Sequence, residues 1–373
     1  MRAADRTLEA DLTLLCQLAQ EAGDLAMSYL HKGGAEFWNK SGGTPVTEAD
    51  LAVNRLCAST LKSARPEYGW LSEETLDDPV ARQKSRCWVV DPIDGTRAYM
   101  DGTPDWCVGL AIVEEGEAVA GVIYAPALGQ FYEARRGAGA RRNGAAIQVS
   151  ARGQEAGSRL ITNEGMLTHP GWREPWPEVH LARPKPNATL LRLALVAAGD
   201  WDAALVLAEK ADWDLAAGAV LITEAGGQVT THSGEQLVFN RAVPAQRSVV
   251  ASGNGLHPLL VRRTGYVRLP DPQARALQTT APETTEPPKM AGKDKPSKQL
   301  LHIVFGGELK DVTGVEFEDL SKLDFVGAFP NYQEAYDAWK AAAHRTVDHA
   351  ETRYFILHAH RLLDPATGDT HHV

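Results

Sequence analysis

The stretch that decides the fold is CWVVDPIDGT, Cys87 to Thr96. An apolar, β-rich run ends in two aspartates three residues apart, Asp91 and Asp94, held by Pro92 and Gly95. Both carboxylates can face one point at that spacing. Hard divalent cations such as Mg²⁺ take several oxygen ligands at close range, and carboxylates and phosphate oxygens are their usual supply. A plain turn is the competing reading, because Asp, Pro and Gly are turn formers in their own right.

Other acidic positions extend the pattern. Glu73-Glu74 follows the apolar WLS segment, and Asp214 sits in WDLAAGAVLITEAGG, opening a helix whose N-terminus would point toward an anion. Each has a bland alternative: a solvated acidic pair for Glu73-Glu74, a helix cap for Asp214. Asp50 carries the same doubt, since Thr47 with Asp50 three residues later is a variant of the capping box.

Around these sites helices and strands are mixed. Leu8, Leu12, Leu15, Ala19, Ala22, Ala26 and Leu30 recur in steps of three and four, which predicts a helix over 8–30. A second helix is expected at about 47–62, and further ones near 189–198 and 214–225, each before glycine. Short β-rich runs at 87–90, 107–113, 118–124 and 131–134 are separated by turn residues.

A length of 373 residues suggests about two domains at roughly 150 residues each. With 38 Lys and Arg against 48 Asp and Glu, the net charge of −10 provides no global basic field for a nucleic-acid polymer. Four widely spaced cysteines without a C-x-x-C read as buried thiols rather than zinc or redox ligands. Acidic residues at 5, 9 and 11 interrupt any secretion signal, and no apolar run approaches a membrane span, so a cytoplasmic location is expected. Six prolines and a polar background between 268 and 299 read as a flexible linker. The expected division is therefore 1–266, a linker at 267–299, and a small acidic α+β unit at 300–373. That last unit has six Lys and Arg against twelve Asp and Glu.

Taken in order, TPVTEAD (44–50), SEE (72–74), DPIDGT (91–96) and WDLAAG through EAGG (213–227) resemble the motifs of the inositol monophosphatase superfamily of Mg²⁺-dependent, often Li⁺-sensitive phosphatases. The resemblance covers about residues 8–255 and implies an α+β fold, a layered α/β sandwich. It also implies that Glu73, Asp91, Asp94, Asp214 and the carbonyl of Ile93 bind two or three Mg²⁺ ions. Asp50 and Thr96 would position or deprotonate the attacking water, and Lys40 would lie on a mobile loop over the site. A phosphate monoester dianion repels hydroxide, so catalysis needs cations that neutralise its oxygens and acidify a water. The backbone N–H groups of Gly95 and Thr96 are suited to the remaining phosphate oxygens. Direct in-line attack by an activated water follows, with no phosphorylated enzyme.

Relatives in that superfamily cleave different small phosphorylated metabolites on one metal site. Where inositol-specific members have a glutamate seven residues before the last metal aspartate, this chain has Leu207, with Glu209 two positions off. Arg97-Ala98 replaces the usual Thr-Asn after DGT. Arg97, Arg192 and Lys210 are candidates for a second cationic locus, for which the arginine fork is well suited, although they also read as surface charges. DGTRAY and YGWLSEE further resemble bacterial 3′(2′),5′-bisphosphate nucleotidases, which makes 3′-phosphoadenosine 5′-phosphate the favoured substrate. Inositol-1-phosphate and then histidinol phosphate are the alternatives. One bacterial branch doubles as a transcription and ribosome-assembly factor, a non-enzymatic reading that intact carboxylates argue against.

The C-terminal part resembles a small bacterial domain of unknown function. Phe325, Phe329, Tyr332, Tyr336 and Trp339 are its expected core, or alternatively a surface for homodimerisation or a protein partner. His358 and His360 share one side of an expected strand and, with His302, form a weak metal candidate.

Overall fold

The central sheet is laid down in chain order from β1 (Gly69–Ser72), β2 (Arg86–Asp94), β3 (Cys107–Glu114), β4 (Glu117–Ala125), β5 (Gln130–Arg135), β6 (Ala140–Arg142) and β7 (Ala145–Ala146). This is seen in a computed structural model that describes residues 3–31, 37–39, 45–274, 302–308, 317–319, 322–329, 334–335, 338–339 and 352–357. β1 and β2 run parallel, and each later neighbour is antiparallel. β2 is buried along its whole length. Cys87 and Val89 enter one apolar cluster while Trp88 and Val90 enter another, so side chains alternating across the strand fill a core on each face. A strand covered on both faces reads as an unbroken apolar run rather than an alternating one.

α1 (Ala3–His31) and α2 (Glu48–Ala64) cover one face, packing Leu15, Leu18, Ala22, Val53, Cys57 and Leu61 against Trp88 and Val90. A second sheet is ordered β9-β8-β10-β12-β11 from β8 (Arg159–Ile161), β9 (His180–Leu181), β10 (Ala203–Val206), β11 (Gly227–Thr230) and β12 (Val249–Gly253). α3 (Thr189–Ala197) and α4 (Ala216–Glu224) fill the space between the sheets. α5 (His257–Thr264) closes the outer face through Leu260 against Leu160, Leu205 and Val250. The result is the expected layered sandwich: helices, sheet, helices, sheet, helix.

One local departure from expectation creates the site. The sequence ends the strand at Val90 and leaves a plain turn at Asp91 to Asp94 as the competing reading, whereas the structure carries β2 through to Asp94. Asp91 pairs with Gly109 and Asp94 with Cys107, so β2 advances three residues while β3 advances two. That extra residue is a bulge, one of the few strand positions that tolerates proline. In a regular strand, residues three apart point to opposite faces. The bulge turns Asp91 and Asp94 to the same one.

The chain divides into two compact units, Met1–Glu283 and Thr284–Val373. Within the expected linker, residues 267–274 are described, and Asp271 and Gln273 bond to Arg247 and Val243; residues 275–299 lie outside the described residues. The C-terminal unit has a three-stranded antiparallel sheet, with β13 (His302–Glu308) between β14 (Asp324–Phe329) and β15 (Thr352–Leu357). Phe305, Phe317 and Phe355 form its aromatic cluster. Of the aromatics singled out above, Phe325 is 63% exposed, and the Trp339 indole donates to the Tyr354 carbonyl. His302 is buried. Tyr332, Tyr336, His358 and His360 fall outside the described residues. Among the described residues, no helix is long and apolar enough to cross a membrane.

Candidate active site

The parallel pair β1 and β2 ends at a common carboxyl edge, and the acidic residues gather there. Ligand oxygens of Asp91, Asp94 and Asp214 all lie within 4.8 Å of one another. Asp91 is 1% exposed, and neither of its carboxylate oxygens accepts a hydrogen bond from any described residue. Burial, compounded by the charges of Glu73, Asp94, Asp214 and Asp50, holds the Asp91 carboxyl well above the ordinary range. Asp94 is pushed up to about 7 by burial and by Asp214, with Lys210 and the Leu190 N–H pulling the other way.

Buried carboxylates are normally hydrogen-bonded or paired. An orphaned one, crowded by others, fits an all-oxygen pocket for divalent cations. Gly109, opposite Asp91, keeps the pocket packed: a Cβ there would lie 2.1 Å from Leu190 Cδ1. Asp94 in turn accepts from the Leu190 N–H at 2.5 Å. It thus caps the N-terminus of α3, whose own Ala188 supplies no side-chain cap. This contact was not legible in the sequence.

Glu73 follows β1 directly. Its N–H bonds the Val90 carbonyl, and Asn54 of α2 holds the turn through Ser72, Glu74 and Thr75. Asp214 precedes α4, with its Oδ2 accepting from the Ala211 N–H at 3.1 Å.

Asp50 is the helix cap that the sequence allowed, and its second oxygen reaches Thr96. Its Oδ2 accepts from the Thr47 N–H at 2.8 Å and the Thr47 hydroxyl at 2.5 Å, completing a reciprocal capping box at the start of α2. Its Oδ1 lies 3.4 Å from the Thr96 hydroxyl, which is also 3.1 Å from the Ile93 carbonyl. The cap therefore aims the second oxygen at the site. Gly95, between them, has φ +90°, and a Cβ there would come within 3.1 Å of the Asp105 carbonyl oxygen. Both reasons demand glycine.

The cations divide differently from expectation. Lys210 Nζ lies 3.5 Å from Asp214 Oδ2, within the carboxylate cluster itself. Arg192 is 8% exposed and so not a surface charge, but its Nε and Nη2 already donate to the Pro186 and Asn187 carbonyls. Sequence reasoning missed Lys185, which is half-buried and pushed down by burial and by the nearby charges of Arg192 and Lys210. Lys185, Arg192 and Leu207 line one cavity of about 160 Å³. Arg97 is exposed, and Lys40 lies outside the described residues.

At the strand ends of this layered sandwich lies an oxygen-only cluster that can hold a divalent metal, with Lys210 beside it. The chain belongs to the inositol monophosphatase family, whose family model matches residues 7–266, and it is a phosphatase of that family. A histidinol-phosphatase from Chlorobaculum parvum is 34% identical over 260 residues, 66% of this chain and 97% of that protein. The 3′(2′),5′-bisphosphate nucleotidase CysQ of Salmonella typhimurium is 31% identical over 61% of this chain and 93% of its own length. The solved structure of an inositol monophosphatase from Anabaena superposes with a TM-score of 0.57 at 26% identity, covering 70% of this chain and 98% of that one. Residues 300–359 match a domain of unknown function (DUF4170).

Proposed function

We propose that this phosphatase uses Mg²⁺ and that its favoured substrate is a 3′(2′),5′-bisphosphate nucleotide such as 3′-phosphoadenosine 5′-phosphate. The observation that carries the reading is a cationic cavity beside the acidic cluster. Arg192 is near enough to Asp94 and Asp214 for their charges to act on it, and it shares the cavity with Lys185. A substrate with one phosphate on the carboxylate side has cations for its second. Leu207 in the same wall offers no hydrogen bond to inositol hydroxyls.

Glu73, Asp91, Asp94, Asp214 and the Ile93 carbonyl would hold the metal. When bound, divalent cations neutralise phosphate oxygens and acidify a water. Thr96 and Asp50 would orient that water: the Thr96 hydroxyl sits between the Asp50 carboxylate and the Ile93 carbonyl, so that its oxygen can accept a hydrogen bond from the water while its own proton points to Asp50, the proton acceptor of the pair. The Gly95 and Thr96 N–H groups receive the phosphate oxygens that carboxylates would repel.

Measuring kcat/KM on 3′-phosphoadenosine 5′-phosphate, inositol-1-phosphate and histidinol phosphate tests the proposal. The bisphosphate should lead, and Lys185→Ala should raise KM for it while leaving inositol-1-phosphate unaffected. A tenfold lead for inositol-1-phosphate or histidinol phosphate would reverse the assignment.

A further inference from the structure

Among the described residues, the largest charged side chain with no accessible surface is not at the carboxylate cluster. Arg82 is 0% exposed, on the short helix Pro79–Arg82, nine residues after Glu73. Its Nε and Nη2 fork onto both oxygens of Asp77, at 2.7 and 3.3 Å. The other donors cross to a distant segment: Nη1 to the Asn240 carbonyl at 3.1 Å and the Asn240 side-chain oxygen at 2.7 Å, and Nη2 to the carbonyls of Arg241 and Ala242 at 2.7 and 3.0 Å. Asn240 answers by donating its Nδ2 to the Arg82 carbonyl at 3.3 Å.

From there the connection continues. The Asn240 N–H donates to Asp212 Oδ2 at 2.7 Å, and Gln246 Nε2 donates to Asp212 Oδ1 at 2.9 Å. Asp212 is buried, and its carbonyl receives the Leu215 and Ala216 N–H groups that start α4. Asp214 stands between these bonds. Asp77, at the other end, follows the Ser72 to Thr75 turn that Asn54 holds.

We infer that Arg82 is a positioning residue for the metal centre, acting on Asp214 through Asn240 and Asp212 and on the Glu73 segment through Asp77. The inference rests on the metal reading given above. An unpaired buried guanidinium is costly, and a planar fork imposes direction as well as charge. Here that fork ties together two segments that approach the metal site from different parts of the chain. Groups that orient metal-ligating carboxylates typically change metal affinity by 10–100-fold when lost.

The test uses the full chain, titrated calorimetrically with MgCl₂ well below its unfolding temperature. Arg82→Lys keeps the charge and loses the fork. Asn240→Gly keeps the backbone at φ +58°, which glycine adopts freely, and removes the side-chain bonds to Arg82. Each should weaken Mg²⁺ binding tenfold or more. The Mg²⁺ concentration for half-maximal activity should rise by the same factor, with kcat at saturating Mg²⁺ kept within about threefold. Arg263→Lys, at a half-buried ion pair with Glu155, should lower the melting temperature and leave Mg²⁺ affinity unchanged. The inference is overturned if both Arg82→Lys and Asn240→Gly melt earlier yet bind Mg²⁺ as the wild type does. If Arg82→Lys does not fold, Asn240→Gly decides alone. A wild-type chain that binds no Mg²⁺ would instead overturn the metal reading, a different and separately visible result.

Discussion

Asp94→Asn separates the stability of the empty site from its function, because the two should move in opposite directions. A carboxyl that titrates at about 7 in the fold against 3.8 when free binds its proton more tightly folded than unfolded. Below pH 3.8 it costs the metal-free fold nothing. The cost grows as pH rises and reaches about 4 kcal/mol above pH 7, at 1.36 kcal/mol for each tenfold change in proton affinity. Asparagine keeps an acceptor for the Leu190 N–H but loses the charge that strengthens the bond, worth about 1 kcal/mol. The variant should therefore be about 3 kcal/mol more stable than the wild type at pH 8 in EDTA, and no more stable at pH 4. Urea unfolding of both chains in EDTA across that range measures the difference at each pH, so other titrating groups cancel. Mg²⁺ at about a thousand times its Kd should reverse the order, since it adds about 4.1 kcal/mol to the chain that binds it. Activity should fall about 10³-fold or more with the lost ligand. A wild-type chain more stable than Asp94→Asn at pH 8 in EDTA would refute the claim that crowded, desolvated charge is stored at this site.

Further outcomes can be stated briefly. Asp91→Asn should lower kcat about 10³-fold, and EDTA should abolish wild-type activity; equal rates in EDTA and Mg²⁺ would remove the metal role, and Li⁺ should inhibit. Asp50→Asn should lower both kcat and melting temperature because Asp50 caps α2 and contacts Thr96 at once, whereas Thr96→Ala should lower kcat more than it raises KM and barely shift melting. Cleavage between 275 and 299 should release a folded 1–274 fragment that keeps its turnover rate; loss of activity from a folded fragment would show that residues 300–373 serve the site. Light scattering on the full chain and that fragment tests the proposed docking role of the C-terminal unit, which fails if both have the same oligomeric state.

Much of this protein was written locally. Helix stripes such as Leu15, Leu18 and Ala22, the capping box at Thr47 and the unbroken apolar run of β2 are short-range patterns that the backbone converts directly into elements. The motif order from TPVTEAD to EAGG was enough for the family and the layering. The tertiary structure alone decided how those residues are used. Asp91 and Asp94 share a face because a bulge, opposite Gly109 and Cys107, inserts one residue into the ladder; spacing along the chain cannot tell that from a turn. Lys210 joins the carboxylates and Arg192 turns its fork onto its own backbone, since burial and neighbours govern where a long side chain ends. Lys185 and Arg82 carried no signal in the sequence, Lys185 being a basic residue in a polar loop and Arg82 one at the end of a single helical turn. Arg82 meets a segment up to 160 residues away, and only the folded chain brings the two together.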